Sequence, residues 1–182
     1  MHWHPTPLTA GRHYLRDLMD DLCTTAEAFV AMAHRIVWCS VATVDAQARP
    51  RSRVMHPIWE WDGYTLVGWV ATTPSPKLAH LARTAYLSCS YWEPTQDTCT
   101  AECRAELVTD VDARARVWEL FATALAPLGF DPGAIGVPGW DAPDAPGFVV
   151  LRLRPWRLRV HPLSILASGG RPEEMRTLLW QE

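Results

Sequence analysis

The chain predicts a mainly β domain with flanking helices, a six- to seven-stranded antiparallel β-barrel. Three observations lead there. Residues 98–108 alternate Cys99, Ala101, Cys103, Ala105 and Leu107 against Thr98, Thr100, Glu102, Arg104 and Glu106, the period of a strand with one buried face. Two aromatic-rich runs flank Asp62-Gly63, a dipeptide suited to the positive backbone angles of a two-residue hairpin. Helical spacing is confined to three short segments, one before the first strand, one after the third and one after the fifth.

The elements follow in order. Thr24-Thr25-Ala26-Glu27 has the form of a capping box, and Ala26, Phe29, Val30 and Ala33 continue it at helical spacing to His34. Residues 36–44 are β-branched and aromatic enough for a first strand, and 45–50 form a polar connection. Strands two and three make the hairpin across Asp62-Gly63. Its exit strand runs into Thr72-Thr73-Pro74-Ser75-Pro76-Lys77, a helix start in which Ser75 is the N-cap and Pro76 takes the first helical position, where a missing N–H costs nothing.

Residues 86–92 alternate Leu87, Cys89 and Tyr91 against Ser88, Ser90 and Trp92, which predicts a fourth strand before the fifth at 98–108. Asp110 caps a helix with Val117, Leu120, Phe121, Ala124 and Leu125 on one stripe. Residues 127–147 hold five Pro and five Gly, with Phe130 and Trp140 among them, a composition that suits a functional loop or lid. Two strands at 148–154 and 156–161 are expected to break at Pro155, and 177–180 to add a last short one. The chain thus divides into an N-terminal arm (1–23), a barrel domain (24–165) and a tail (166–182).

Composition narrows the function. At 182 residues, 48% hydrophobic and 20% charged, the chain can bury a full core. The formal net charge of -3 argues against bulk nucleic-acid binding. With neither a signal-type apolar segment nor a run long enough to span a membrane, a cytoplasmic location is expected. Five cysteines without framework spacing agree with a reducing compartment. Cys99 and Cys103 share a strand face but sit too far apart to bridge, and they read as buried side chains. His2-Trp3-His4 can in principle take a metal, although a free terminus is the commoner outcome. No Gly-rich nucleotide fingerprint occurs.

One corner concentrates chemistry. Ser75 and Lys77 at a helix N-terminus, with Arg51 and Arg53 on a neighbouring strand, supply what a phosphate requires: a hydroxyl, cations and a positive dipole end. Lys77 is also the sole lysine among 17 basic residues. His56 has the chemistry of a general acid, but a lone strand histidine more often fills space or hydrogen-bonds.

Ala48-Arg49-Pro50-Arg51-Ser52-Arg53-Val54, Thr72 to Lys77, and the run Ala79 to Ser88 resemble, in order and spacing, the pyridoxamine 5'-phosphate oxidase-like, FMN-binding split-barrel superfamily. The resemblance implies Arg53, Ser75 and Lys77 at the FMN phosphate, with Arg51 of the same corner also counted as cofactor-binding, and Thr72 and Thr73 beside the ribityl chain. It implies Val54, Met55 and His56 along the isoalloxazine. The family's cofactor lies between two barrels, which implies a homodimer with the site at the interface, where Trp92 or Trp140 reaches a partner's site.

The implied activity is hydride or electron transfer to a small-molecule substrate. The deazaflavin coenzyme is the alternative cofactor, and a non-catalytic flavin- or tetrapyrrole-binding protein the alternative function. Two departures stand out. Pro76 replaces a cation common in the family's phosphate corner, and residues 156–182 lack the substrate motif of the true pyridoxamine phosphate oxidases.

Overall fold

The computed structural model describes residues 20–182. The arm's His2-Trp3-His4 cluster lies outside them. The elements are α1 (Leu22–Ile36), β1 (Cys39–Val44), β2 (Pro50–Met55), β3 (Ile58–Trp61), β4 (Leu66–Thr72), α2 (Pro76–Arg83), β5 (Tyr86–Trp92), β6 (Thr98–Val108), α3 (Val111–Thr123), β7 (Val149–His161), α4 (Ser164–Ala167), a 3-10 turn (Pro172–Glu174) and β8 (Leu178–Gln181). The strands form one antiparallel sheet in the order β2-β1-β5-β6-β7-β4-β3, with β8 added on β7. This is the mainly β architecture with flanking helices that the periodicity predicts.

The sheet does not close through hydrogen bonds. Pro57 has no N–H to give a ladder, and it divides the expected second strand in two. The first part, β2, pairs with β1 from Pro50 to Met55. The second, β3, pairs with β4 from Ile58 to Trp61. His56 and Pro57 therefore join the two ends of the sheet, and this division together with β8 brings the strand count to eight.

Other boundaries also shift for local reasons. Asp21, not Thr24, caps α1: its carboxylate accepts from the Thr24 amide at 2.8 Å and from the Thr24 hydroxyl at 2.9 Å, so the capping box does not form. At its other end α1 runs through Ile36, where the Val37 amide donates to the Ala33 carbonyl, and β1 starts only at Cys39. The β3–β4 connection is four residues long rather than two. Gly63 takes φ +95, and Asp62 accepts from the amides of Tyr64 and Thr65 at 2.8 and 2.7 Å.

Pro155 does not end β7. The pairing with β6 slips between Glu102 and Cys103, where the extra residue of a bulge absorbs the missing donor, and one 13-residue strand results. Strands β5 and β6 span the residues their alternation predicts. Asp110 caps α3 by accepting from the Ala113 amide at 2.8 Å. On its stripe Val117 and Phe121 are buried, whereas Leu125 lies beyond the helix and is exposed.

The barrel interior is filled from α1 and the inward faces of the strands, with Phe29, Tyr91, Leu151, Leu153 and Leu158 fully enclosed. Phe29 meets Trp59 edge to face at 4.9 Å, and Trp59 Nε1 donates to the Tyr91 hydroxyl at 2.7 Å. All five cysteines are free thiols, and Cys39, Cys89, Cys99 and Cys103 belong to this interior. A second cluster of Ile58, Val117, Phe121, Trp140, Phe148 and Val150 lies under α3 and the 127–147 segment. No helix among the described residues is long and apolar enough to cross a membrane.

Candidate functional site

The phosphate-friendly corner forms where β2, β1 and α2 meet. Arg53 reaches across the ladder from β2 and donates through Nη1 to the Val41 carbonyl at 3.2 Å and the Thr43 hydroxyl at 2.8 Å. Thr43 Oγ1 lies in turn 3.1 Å from Nδ1 of His80 on α2. Arg53 is thus held by β1, which β2 pairs, and through Thr43 by α2.

Ser75 occupies the N-cap of α2 in an extended conformation, with Pro76 next, but its hydroxyl caps no amide. The Lys77 ammonium takes the hydroxyl instead: Nζ donates to Ser75 Oγ at 2.7 Å and to the Thr73 carbonyl at 3.3 Å. Burial and then the neighbouring Arg53 lower the Lys77 pKa, and burial lowers that of Arg53. Neither cation has a carboxylate partner among the described residues. Two like charges held together at a helix N-terminus are relieved by an anion.

Arg51 belongs to a different arrangement. Its Nε lies 3.0 Å from Asp45 Oδ2, and Arg49 Nε lies 2.8 Å from the same oxygen. Desolvation would raise the Asp45 pKa, but the Arg49 and Gln47 amides and both guanidiniums hold the carboxyl well below the usual range. Arg51, Arg53, Ser75 and Lys77 border one groove of about 770 Å³, which continues past the corner to Arg49 and Arg83. Around Asp45 this edge is strongly cationic, although the whole chain is weakly acidic.

A cavity of about 450 Å³ opens from the corner toward α3. Arg53, Thr72 and Lys77 lie at one end. Trp38, Phe130 and Trp140 lie at the other, with Val54, Met55 and His56 along the side. The His56 ring stands 5.0 Å from Trp38, 5.7 Å from Phe130 and 5.9 Å from Phe121, centroid to centroid. Both its nitrogens are buried without a hydrogen-bond partner. Burial, and secondarily the charge on His34, pushes its pKa down to about 4, so the ring is neutral at physiological pH.

The 127–147 segment supplies the aromatic wall and is fastened in several places. Phe130 stacks on Trp140 at 6.3 Å, and Trp140 Nε1 donates to the Gly147 carbonyl at 2.9 Å. Arg114 on α3 donates to the carbonyls of Ala145 and Phe148, both at 2.7 Å. At Gly147 a Cβ would fall 2.4 Å from the Gly139 carbonyl oxygen, so only glycine permits this close return of the chain.

Of the residues picked out in sequence, the structure brings Arg53, Val54, Met55, His56, Thr72 and Lys77 to one cavity, with Ser75 beside Lys77 and Arg51 in the adjoining groove. Thr73 takes part through its carbonyl. Trp92 borders neither; it is exposed at the end of β5, where Nε1 donates to Gln96 at 3.3 Å. Sequence reasoning did not identify Trp38, Thr43, Asp45 or His80. Each of these is brought to the site by the β1–β2 pairing or by the packing of α2, and no local pattern in the sequence signals it. A larger cleft of about 1080 Å³ lies elsewhere, between Arg104, Arg154 and Trp180, and shares no residue with this site.

This open, helix-flanked antiparallel sheet is a split β-barrel. A family model described as pyridoxamine 5'-phosphate oxidase matches residues 25–161, and the chain belongs to that family. Among solved structures it is similar to a pyridoxamine 5'-phosphate oxidase-related, FMN-binding protein from Nostoc punctiforme (14% identity, 99% of each chain covered, TM-score 0.52). It is also similar to a protein related to general stress protein 26 from Clostridium acetobutylicum (14% identity, 85% of this chain and 95% of that one, TM-score 0.55). A third likeness is to a heme binding protein from Mycobacterium smegmatis (17% identity, 86% and 57% covered, TM-score 0.54). At these identities the likeness is one of fold. A search of curated proteins finds no match.

Proposed function

We propose that this protein binds FMN and acts as an oxidoreductase, passing a hydride or electrons to a small-molecule substrate. The observation that carries the reading is the Arg53–Lys77 pair, two half-buried cations close enough to feel each other's charge, Lys77 held on Ser75 at a helix N-terminus, with no carboxylate among the described residues to neutralise them. A phosphate dianion is the complement of such a corner. Family membership and the FMN-binding relative from Nostoc punctiforme support the choice of flavin.

When bound, the flavin ring would supply the redox chemistry itself. The chain's part is then to grip the phosphate with Arg53, Lys77 and Ser75, to lay the ring along Val54, Met55 and His56, and to keep water from it with Trp38, Phe130 and Trp140. The deazaflavin coenzyme is the second reading. It carries a phosphodiester, and the cationic groove leads onward from the corner to Arg49 and Arg83, leaving space for what a diester bears on its far side.

A homodimer fits the surface beside the site. Val54, Ser40 and Ser90 stand in register on the outer face, and Val54, Trp38 and Trp92 are 68%, 59% and 58% exposed. A second copy covering this face would bring Trp92 to the mouth of its partner's cavity. A cytoplasmic location accords with four buried free thiols.

Titration with FMN, riboflavin and the deazaflavin coenzyme, followed by flavin fluorescence, tests the reading. Replacing Arg53 and Lys77 together by Ala is expected to weaken FMN far more than riboflavin. Equal losses would remove the phosphate assignment, and no binding of any flavin would remove the cofactor. Tight binding without reduction by NADH, NADPH or reduced deazaflavin would leave a binding protein in place of an enzyme.

A further inference from the structure

The cleft of about 1080 Å³ holds side chains that the proposed flavin site does not use. Arg104 and Glu106 alternate along β6 with the buried Cys103 and Ala105, so they stand on the outer face of the sheet. Across the ladder Glu102 faces Arg157, Arg104 faces Arg154, and Glu106 faces Arg152. The first and last of these rows are ion pairs: Arg157 Nη1 donates to Glu102 at 2.5 Å, and Arg152 Nε donates to Glu106 at 3.1 Å. The middle row is two arginines, and neither forms an ion pair among the described residues. Like charges directly opposite each other on a ladder are unfavourable. Glu106 feels Arg154 and Arg104, but it is already taken by Arg152, whose hydrogen bond is the chief cause of its lowered pKa.

Aromatic rings border the same cleft. Tyr86 on β5 stands opposite Arg104 and is 56% exposed. The bulge that carries β7 past Pro155 leaves Trp156 without a partner on β6, and this residue lines the cleft beside Arg154. A guanidinium is a rigid, planar fork that meets both oxygens of a carboxylate, and its flat face, like an aromatic one, favours a flat neighbour. An anion set between Arg104 and Arg154 turns their opposition into a shared attraction. Glu106 and Glu182 lie on the border of the cleft, so one negative charge is accommodated more readily than two.

We propose that this cleft is a second ligand site, apart from the flavin cavity, and that it takes a flat aromatic carboxylate, with Arg104 and Arg154 holding the carboxylate and Tyr86 and Trp156 beside the ring. The cleft shares no residue with the flavin cavity, and its occupancy is independent of the cofactor. Binding here makes and breaks no covalent bond.

Three bicyclic probes decide the matter by calorimetric titration of the full chain, with and without FMN: 2-naphthoate, the uncharged 2-naphthylmethanol, and 2-naphthyl phosphate. In the presence of FMN, 2-naphthoate is expected to bind about tenfold more tightly than the alcohol, because its hydrogen bonds are charge-assisted, and the phosphate no more tightly than 2-naphthoate. Arg104→Met and Arg154→Met should each weaken 2-naphthoate about tenfold and leave the alcohol and FMN as they were. Arg104→Lys, which keeps the charge and loses the fork, should fall between. Without ligand, either Met variant should melt no lower than the wild type, since each removes one of two opposed charges. Should one variant fail to fold, the other carries the test.

The flavin cavity also combines cations with rings, and Lys77→Met separates the two: it should leave 2-naphthoate binding unchanged. Binding that FMN displaces or that Lys77→Met removes would belong to the flavin cavity and would overturn the proposal. So would equal binding of the acid and the alcohol, tighter binding of the phosphate, no binding of any probe, or an affinity that survives in both arginine variants. A protein that ignores FMN yet still binds 2-naphthoate through Arg104 and Arg154 would overturn the cofactor reading alone.

Discussion

Lys77 donates to the Ser75 hydroxyl at 2.7 Å, which folds its ammonium back over the start of its own helix and into the field of Arg53. The ligand-free protein bears the cost of this placement, since burial and the like charge both disfavour the ammonium. Lys77→Met is therefore expected to leave the melting temperature of the ligand-free protein unchanged or slightly raised. The same change should weaken FMN at least tenfold by removing a charge-assisted hydrogen bond. Thermal melts and flavin titration on the same samples check both halves; a large loss of stability without FMN would show that Lys77 is structural.

Gly68 stands opposite Trp59 across the β3–β4 ladder, and a Cβ there would lie 2.7 Å from the Trp59 ring. Gly68→Ala should push the indole off its contacts with Phe29 and Tyr91 and destabilise the barrel by about 1–3 kcal/mol. Urea unfolding measures it. A midpoint equal to that of the wild type would mean that the ring has room to move.

Acid should weaken the fold before most carboxylates titrate. Burial, and then His34, holds the His56 pKa near 4 against 6.5, and burial lowers His34 too. A base with a lowered folded pKa takes up protons in the unfolded chain first, so its contribution is complete above pH 6.5 and is lost as the pH falls toward 4. Between pH 7 and 5 His56 should account for about 1 kcal/mol, roughly half its full linkage value because the ring borders a solvent-open cavity. Melting temperature against pH, for the wild type and His56→Phe, gives the test: the variant's curve should be the flatter, and identical slopes would contradict the assignment.

The 127–147 segment depends on Arg114 for its closest tie to α3. Arg114→Met should expose the segment to limited proteolysis several-fold faster while the barrel's own melting changes little. Cleavage first at some other place, or at an unaltered rate, would show that the stacked Phe130–Trp140 pair suffices to hold it.

The strands with one buried face were the most legible part of the sequence. Leu87, Cys89 and Tyr91 on β5 and the cysteines and alanines of β6 face a common interior, so alternation reports their bounds directly. Where a proline met a strand the reading went astray in both directions. Pro57 ends a ladder that composition would have continued, and Pro155 is carried through by a bulge that depends on slippage against Glu102 and Cys103. The cationic corner was visible because Ser75, Pro76 and Lys77 are adjacent. The aromatic end was not, since Trp38, His56 and Phe130 come together only when β1, the β2–β3 junction and the segment after α3 are folded. The anchoring of Arg53 by Thr43 likewise needs the β1–β2 register, which no local pattern encodes.

The junction at His56-Pro57 has a mechanical meaning. Strand β3 covers the edge of β4 only as far as Trp69, so from Val70 to Thr72 that edge has no strand partner on its outer side among the described residues. The cavity is bordered by Ala71 and Thr72 on one flank and by Arg53, Val54 and Met55 on the other. A molecule lodged there serves as the rung that the ladder lacks, clasping two margins which the chain itself stitches together through only a few peptide bonds. Loading the cavity should then slow amide exchange in β2 and in the far half of β4 together, as a seam tightens along its whole length when a single clasp is closed.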